Sequence, residues 1–311
     1  MSECGSLALV EQRLLLWRQQ VADGLRSAED SCRLFHGRGH YYPGLEALSI
    51  DYFSPALVVT LFAELKPDFE TALLDKLEVF FDGAAIYLQR RYLPAPRYEC
   101  VRGEVLERVF AQRGGLKFEL SFAQQNIGFF LDIEPARHWL EQRAAGKSVL
   151  NLFAYTCTFS LVASAAGANS VLNMDLSSRS LNQGRYNYRL NELSQESVRF
   201  YANDILKSWS RLKRFGPYDV IVCDPPSFQK GSFVATKDYQ KLLRRMNTLV
   251  ADNGELLLCL NSPEYSYSEF RSLCEQHLQG FAFVERLQPS EDFPDVDEQR
   301  ALKLLVYKRL V

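Results

Sequence analysis

Two rhythms of apolar residues run along this chain. Over residues 149–307, short continuous apolar runs alternate with amphipathic stretches. The runs 149–153, 170–175, 198–204, 218–223 and 255–260 have the length and make-up of strands buried on both faces. Between them, 158–166, 177–191, 205–215, 237–251 and 267–279 carry helical spacing. Two further runs, 281–287 and 301–307, read as closing antiparallel strands. Strand-helix alternation of this kind predicts a doubly wound α/β sheet.

The earlier part of the chain follows another pattern. Leu7, Val10, Leu14, Trp17, Val21 and Leu25 recur at helical spacing over residues 7–26. Residues 32–35 read as a short strand, and 48–53 with 56–62 as a hairpin bent at Ser54-Pro55. A helix is expected over 69–81, with Leu73, Leu74, Leu77 and Phe80 on one face, and a strand over 85–88. Residues 116–122 alternate strictly after the Gly114-Gly115 turn, and 128–132 is their expected partner strand, followed by a helix over 133–143. The expected organisation is a smaller N-terminal α+β domain over 1–115 and the doubly wound domain over 116–311.

Composition narrows the setting. With 311 residues, 47% of them apolar, the chain has room for about two domains. A net charge of −2 excludes a broadly basic nucleic-acid coat but not a local basic groove. Residues 83–117 are the candidate: seven Lys or Arg against three Glu, interleaved with Tyr92, Tyr98 and Phe110. Such a mixture suits phosphate and base contacts, and it equally suits an ordinary solvated face. The seven cysteines stand singly, with no CxxC or CxxxH spacing, so no metal is expected. Scattered free cysteines, no signal peptide and no apolar window of about 20 residues point to a cytoplasmic protein without a membrane span.

Ligands of an open α/β sheet sit outside the carboxyl ends of its strands. Three strands end in acids: Asp175, Asp204 and Asp224. Asp175 could accept from both hydroxyls of a ribose, or cap the next helix with Ser177. Asn203 and Asp204 could meet an adenine, or cap in their turn. No G-x-G-x-x-G follows Asn151 and no P-loop is present, so a pyrophosphate cradle is missing. A ligand with a ribose and a base but no phosphate remains, and S-adenosylmethionine meets that description.

The succession Gly128-Phe129-Phe130-Leu131-Asp132, Leu150-Asn151-Leu152-Phe153-Ala154-Tyr155-Thr156, Asp175-Leu176-Ser177, Asn203-Asp204 and Asp224-Pro225-Pro226-Ser227-Phe228 resembles class I S-adenosylmethionine-dependent methyltransferases. More narrowly it resembles the group that modifies large-subunit ribosomal RNA, with cytosine-C5 and guanine-N7 members. The resemblance implies a Rossmann-like methyltransferase sheet, with Phe129 and Asp132 lining the cofactor cleft. Asn151, Phe153, Tyr155 and Thr156 would surround the cofactor's amino-acid end, Asp175 and Ser177 its ribose, and Asn203 and Asp204 its adenine. Asp224, Pro225, Pro226 and Phe228 would hold the acceptor base, large-subunit ribosomal RNA being the implied partner. The RNA-binding PUA domain of many members is expected to be absent, and a homodimer is left open.

Two departures stand out. Thr156-Cys157-Thr158 occupies a turn where the family carries glycine, and the Cβ of Cys157 is expected to crowd the methionine carboxylate. Asn261 stands where cytosine-C5 members carry a nucleophilic cysteine, which favours direct transfer to nitrogen. A non-catalytic RNA-binding relative, a cytosine-C5 enzyme, and an enzyme acting on DNA or a small molecule stay open as alternatives.

Overall fold

The structure is a computed structural model, and it describes residues 3–95, 97–229 and 233–310. These divide into two compact units. The first runs to Leu131 and takes in Ser290–Val296, and the second covers Asp132–Pro289 and the chain from Asp297 onward.

The first unit contains α1 (Glu3–Ala22), β1 (Cys32–His36), β2 (Leu48–Phe53), β3 (Ala56–Leu61), α2 (Pro67–Phe80), β4 (Ala85–Arg90), β5 (Tyr98–Arg102), β6 (Phe110–Arg113) and β7 (Leu116–Glu119). β1 to β5 form one sheet in chain order. Only β3 and β4 pair in parallel, and α2 makes the crossover between them. Val10 and Leu14 of α1 and Leu73 and Leu77 of α2 share a core with Leu34, Ile50, Val59 and Ile86 from the strands.

Two strands of this unit, β5 and β6, go beyond the expected elements. Their residues are mostly half-exposed and so carry no apolar rhythm. β7 pairs with β6 and not with residues 128–132, which form no strand. Gly114 and Gly115, both at positive φ (54° and 81°), close a two-residue hairpin with Arg113 opposite Leu116. That hairpin is tied back to the first unit. Ser31 N donates to Gln112 O at 2.8 Å, Gln112 N to Ser31 Oγ at 2.9 Å, and Gly114 N to Asp30 Oδ1 at 2.9 Å. The unit therefore reaches Leu131, beyond the break expected after residue 115.

The second unit contains α3 (Glu134–Glu141), β8 (Ser148–Leu152), α4 (Thr158–Ala165), β9 (Ser170–Asp175), α5 (Ser178–Leu190), β10 (Val198–Ala202), α6 (Trp209–Phe215), β11 (Tyr218–Cys223), β12 (Phe228–Gln229), β13 (Phe233–Val234), α7 (Ala235–Met246), β14 (Val250–Leu260), α8 (Tyr267–His277), β15 (Phe281–Arg286) and β16 (Lys303–Arg309). The sheet order is β10-β9-β8-β11-β14-β16-β15, with β16 antiparallel to both neighbours. Successive residues of β8 enter opposite cores. Val149 joins Trp139, Phe159 and Val220 with α3 and α4, while Leu150 joins Leu212, Leu242 and Phe270 with α6, α7 and α8. Burial on both faces is why these strands read as continuous apolar runs. From β8 the chain winds outward to β9 and β10, then returns to the other side of β8 as β11. The carboxyl ends of β8 and β11 are thus the topological switch point, where such a sheet opens a crevice.

The helix expected over 205–215 is broken. Ile205–Lys207 forms a 3-10 turn capped by Asp204, and α6 begins at Trp209. Among the described residues no helix is long and apolar enough to cross a membrane.

Candidate functional site

The turn that leaves β8 is built in the left-handed region. Phe153, Tyr155 and Cys157 have φ of 58°, 45° and 65°. L-residues adopt this conformation only when their surroundings hold them there. Ala154 N donates to Met174 O (3.1 Å), Cys157 N to Ala154 O (2.7 Å) and Tyr155 N to Asp175 Oδ2 (2.9 Å). Cys157 closes the turn as the N-cap of α4. No glycine is present in the turn itself. The room is made on α5, where a Cβ added to Gly184 would lie 2.8 Å from the Cβ of Cys157 and nearer still to its Sγ. The Cys157 side chain is therefore turned toward α5 and fully buried, and burial pushes its thiol pKa up. The side chain expected to crowd the cofactor's carboxylate thus packs against Gly184 of α5.

Asp175, at the end of β9, joins two turns. Its Oδ2 accepts from Tyr155 N, and its Oδ1 accepts from Ser177 N at 2.8 Å. The cap of α5 is Ser177, whose Oγ accepts from Ser180 N at 3.1 Å. At the end of β10, Asn203 N donates to Asp175 O at 2.9 Å, and Asn203 Oδ1 accepts from Arg211. Asp204 Oδ1 accepts from Leu206 N at 2.9 Å.

A shallow cleft opens across these strand ends, lined by Phe153, Leu176, Asp204, Ile205, Leu206, Gln229 and Phe233. Of these, only Phe153 and Asp204 are among the site residues expected from the sequence. Leu176 carries a usable signal, being a leucine directly after a strand-end acid, and it is 45% exposed. Gln229 and Phe233 come from the short β12–β13 ribbon, too brief to leave a pattern.

Other expected residues lie elsewhere. Asn151 is interior, 1% exposed, and its Nδ2 donates to Asn173 Oδ1 at 2.9 Å. Asn173 Nδ2 in turn donates to Ser160 Oγ at 2.8 Å, which lies 2.6 Å from the Tyr188 hydroxyl. The Oδ1 of Asn151 is buried without a hydrogen-bond partner. Thr156 is buried, with its carbonyl accepting from Asn187 Nδ2 at 3.4 Å. Phe129 falls in the first unit, packed on Phe118 with ring centres 5.0 Å apart.

The end of β11 has a different chemistry. Burial and the neighbouring Asp132 carboxylate push the Asp224 carboxyl up to about 7, against the opposing pull of Arg137. Asp132 Oδ2 also accepts from Asn261 Nδ2 at 3.3 Å. The loop carrying Asn261 is fixed from beneath by the buried Lys303, whose Nζ donates to Ser262 O at 2.7 Å. After Asp224, Pro225 is buried while Pro226 and Ser227 are exposed, and the ring of Phe228 is 65% exposed. Cys223 and Cys259, the thiols nearest in sequence, are fully buried with pKa values raised by burial. Neither supplies a thiolate.

Three of the seven cations of the basic stretch 83–117 are neutralised within its own unit. Arg90 pairs with Glu70 and Glu99, Arg102 with Asp75 and Glu78, and Arg108 with Glu119.

Comparison with known proteins agrees with this geometry. A family model described as S-adenosylmethionine-dependent methyltransferase matches residues 32–308. YwbD of Bacillus subtilis, named as a candidate ribosomal RNA large subunit methyltransferase, is 28% identical over 93% of this chain and 78% of its own length. Ribosomal RNA large subunit methyltransferase I of Shewanella denitrificans is 32% identical over 60% of this chain, which spans about half (49%) of that enzyme. Among solved structures, SMU.776, a methyltransferase candidate complexed with SAH, superposes with a TM-score of 0.86 at 23% identity. The match covers 99% of this chain and 82% of that one, and shows the shared fold.

Proposed function

The chain belongs to the S-adenosylmethionine-dependent methyltransferase family, and from that premise we propose that it methylates a nitrogen of an RNA base by direct transfer. Large-subunit ribosomal RNA is the proposed substrate, a reading supported by the names of its relatives. S-adenosylmethionine, when bound, supplies an electrophilic methyl on sulfur.

The acids at and beside the cleft, Asp204 in its lining and Asp175 at the end of β9, suit that cofactor. Carboxylates stand at the ends of β9 and β10, and no glycine-lined anion cradle follows β8. Such a cleft suits a cationic ligand bearing a ribose and no phosphate. In this reading Asp175, with Ser177, takes the ribose hydroxyls, and Asn203 and Asp204 take the adenine. Phe153, Tyr155 and Thr156 take the amino-acid end, with Asn151 beneath them and Asp132 at the margin.

The observation that carries transfer to nitrogen is the combination at the end of β11: an ionisable Asp224 beside an exposed Phe228, with no thiol in a reactive state. A base nitrogen attacks through its own lone pair. Cytosine C5 does so only after a thiolate has added to the ring. Asp224 and the Pro225 carbonyl would accept hydrogen bonds from the base edge, Pro226 would shape the turn, and Phe228 would stack on the ring of an extruded base.

The test is incubation of the protein with isotope-labelled S-adenosylmethionine and large-subunit ribosomal RNA, followed by mass spectrometry of the nucleosides. An N-methylated nucleoside is expected. A labelled 5-methylcytidine would overturn the reading.

A further inference from the structure

Several arginines of the first unit are matched by carboxylates, Arg26 by Asp292, Arg33 by Asp51, Arg90 by Glu70 and Arg102 by Asp75, while Arg18 lies over Phe80 and Arg38 over Phe62. Residues 179–215 of the second unit behave otherwise. They hold eight Lys or Arg against Glu192, Glu196 and Asp204, a surplus of five in a chain whose net charge is −2. Asp204 pairs with Lys207 at 3.3 Å. Among the described residues, no arginine between Arg179 and Arg214 makes an ion pair, nor does Glu192 or Glu196.

These arginines lie on aromatic rings instead. Arg199 stands 4.7 Å and Arg214 5.7 Å from the ring centre of Phe215, and Arg211 stands 4.9 Å from Tyr201. Tyr201 and Phe215 stack on each other at 5.7 Å and 23°. On the opposite face of the strand, Arg185 lies 4.3 Å from Phe200. β10 is the outermost strand of its sheet, so alternate residues show this arrangement to α6 on one side and α5 on the other.

A guanidinium packed over a ring keeps its charge and leaves N–H groups available, whereas a bidentate carboxylate would occupy both. Several such cations crowded on one edge repel one another until a polyanion arrives. Asn203 and Asp204 follow directly on this strand, and Asp204 lines the cleft described above. We propose that the β10 edge, with the adjoining faces of α5 and α6, grips the phosphate backbone of the RNA whose base is methylated. This rests on the reading of RNA as substrate. It moves the nucleic-acid contact from the stretch 83–117 to the outer edge of the second unit.

The test uses the full chain and a fluorescein-labelled transcript of large-subunit ribosomal RNA. Arg185→Gln, Arg199→Gln and Arg214→Gln are combined, and Arg211 is spared because it holds Asn203. The expected result is affinity lowered at least about tenfold and a salt dependence shallower by about 2 in log–log slope, because three cations no longer neutralise phosphates. KM for RNA rises while kcat at saturating RNA holds, and calorimetry shows unchanged cofactor binding. If the triple variant fails to accumulate, the single variants at the exposed Arg199 and Arg214 carry the same expected sign. RNA affinity and slope equal to those of the unsubstituted protein would overturn the proposal. So would a loss produced instead by Arg97→Gln with Lys117→Gln in the first unit. RNA gripped through these arginines, with no methylated nucleoside formed, would sink the methylation reading and leave this surface standing.

Discussion

The turns after β8 and β11 lie side by side at the switch point, yet they are built on different principles. The first is a matter of backbone. Three non-glycine residues sit at positive φ, and hydrogen bonds to Met174 and Asp175 hold them. The second is a matter of charge: Asp224 is desolvated beside a second carboxylate, with its pKa near neutrality. A turn specified by backbone tolerates an unexpected side chain wherever a neighbour gives way, as Gly184 does for Cys157. A site specified by charge has no such latitude, because its property is shared among Asp224, Asp132 and Arg137.

The sharpest way to test this contrast is Asp224→Ala. It should lower methyl transfer by on the order of 10²-fold or more, the usual scale for losing a polar group aligned on the reacting centre. Affinity for S-adenosylmethionine should stay within about twofold, since the proposed cofactor cleft is drawn from other strand ends. The same change should raise the urea midpoint at pH 8, because an ionised, desolvated carboxylate beside Asp132 disfavours the folded state there. A variant that keeps full transfer activity would remove Asp224 from the reaction.

Gly184→Ala probes the other turn. The new Cβ would press on the Cys157 side chain and the turn behind it, as overpacking does, costing about 1–3 kcal/mol by urea unfolding. Adding Cys157→Gly should recover most of that loss, since it removes the opposing atoms and suits φ of 65°. Cys157→Gly alone should leave cofactor affinity unchanged, because the thiol faces α5 and not the cleft. Independent, additive effects of the two substitutions would show that they do not share this space.

Much of the second unit was legible because its strands are buried on both faces. β9 and β11 were bounded correctly from their apolar runs, and each run stops at an acid that stands at the carboxyl end. The first unit was less legible at its margins. β5 and β6 are half-exposed, and residues 128–132 look like a strand by apolar content but pair with nothing. In the site, the acids were visible because position at a strand end is a local property. The left-handed path through Cys157 was hidden, since its compensating glycine lies a helix away on α5. The β10 arginines were hidden for a related reason: a count of charges does not tell which have carboxylate partners, and the stretch 83–117, where Arg90, Arg102 and Arg108 are paired, had the stronger look of a basic face.

The smallest expected effect concerns the coupling within the charged turn. A carboxyl whose folded pKa is raised holds its proton more tightly in the native state than in the unfolded chain. Its stabilising contribution is complete below the ordinary carboxylate range near ~4 and is lost as pH rises through about 7. Stability should therefore decline across that window, while transfer, in which the ionised Asp224 is proposed to be an acceptor, should rise through it. Asp132→Asn removes the like charge but keeps an oxygen for Asn261. The midpoints of both profiles should then move to lower pH by up to about one unit. The residual elevation is the part due to burial, the larger of the two causes. Unmoved midpoints in the stability and rate profiles would mean that burial alone sets Asp224, and that the turn after β11 depends on shape as much as the turn after β8 does.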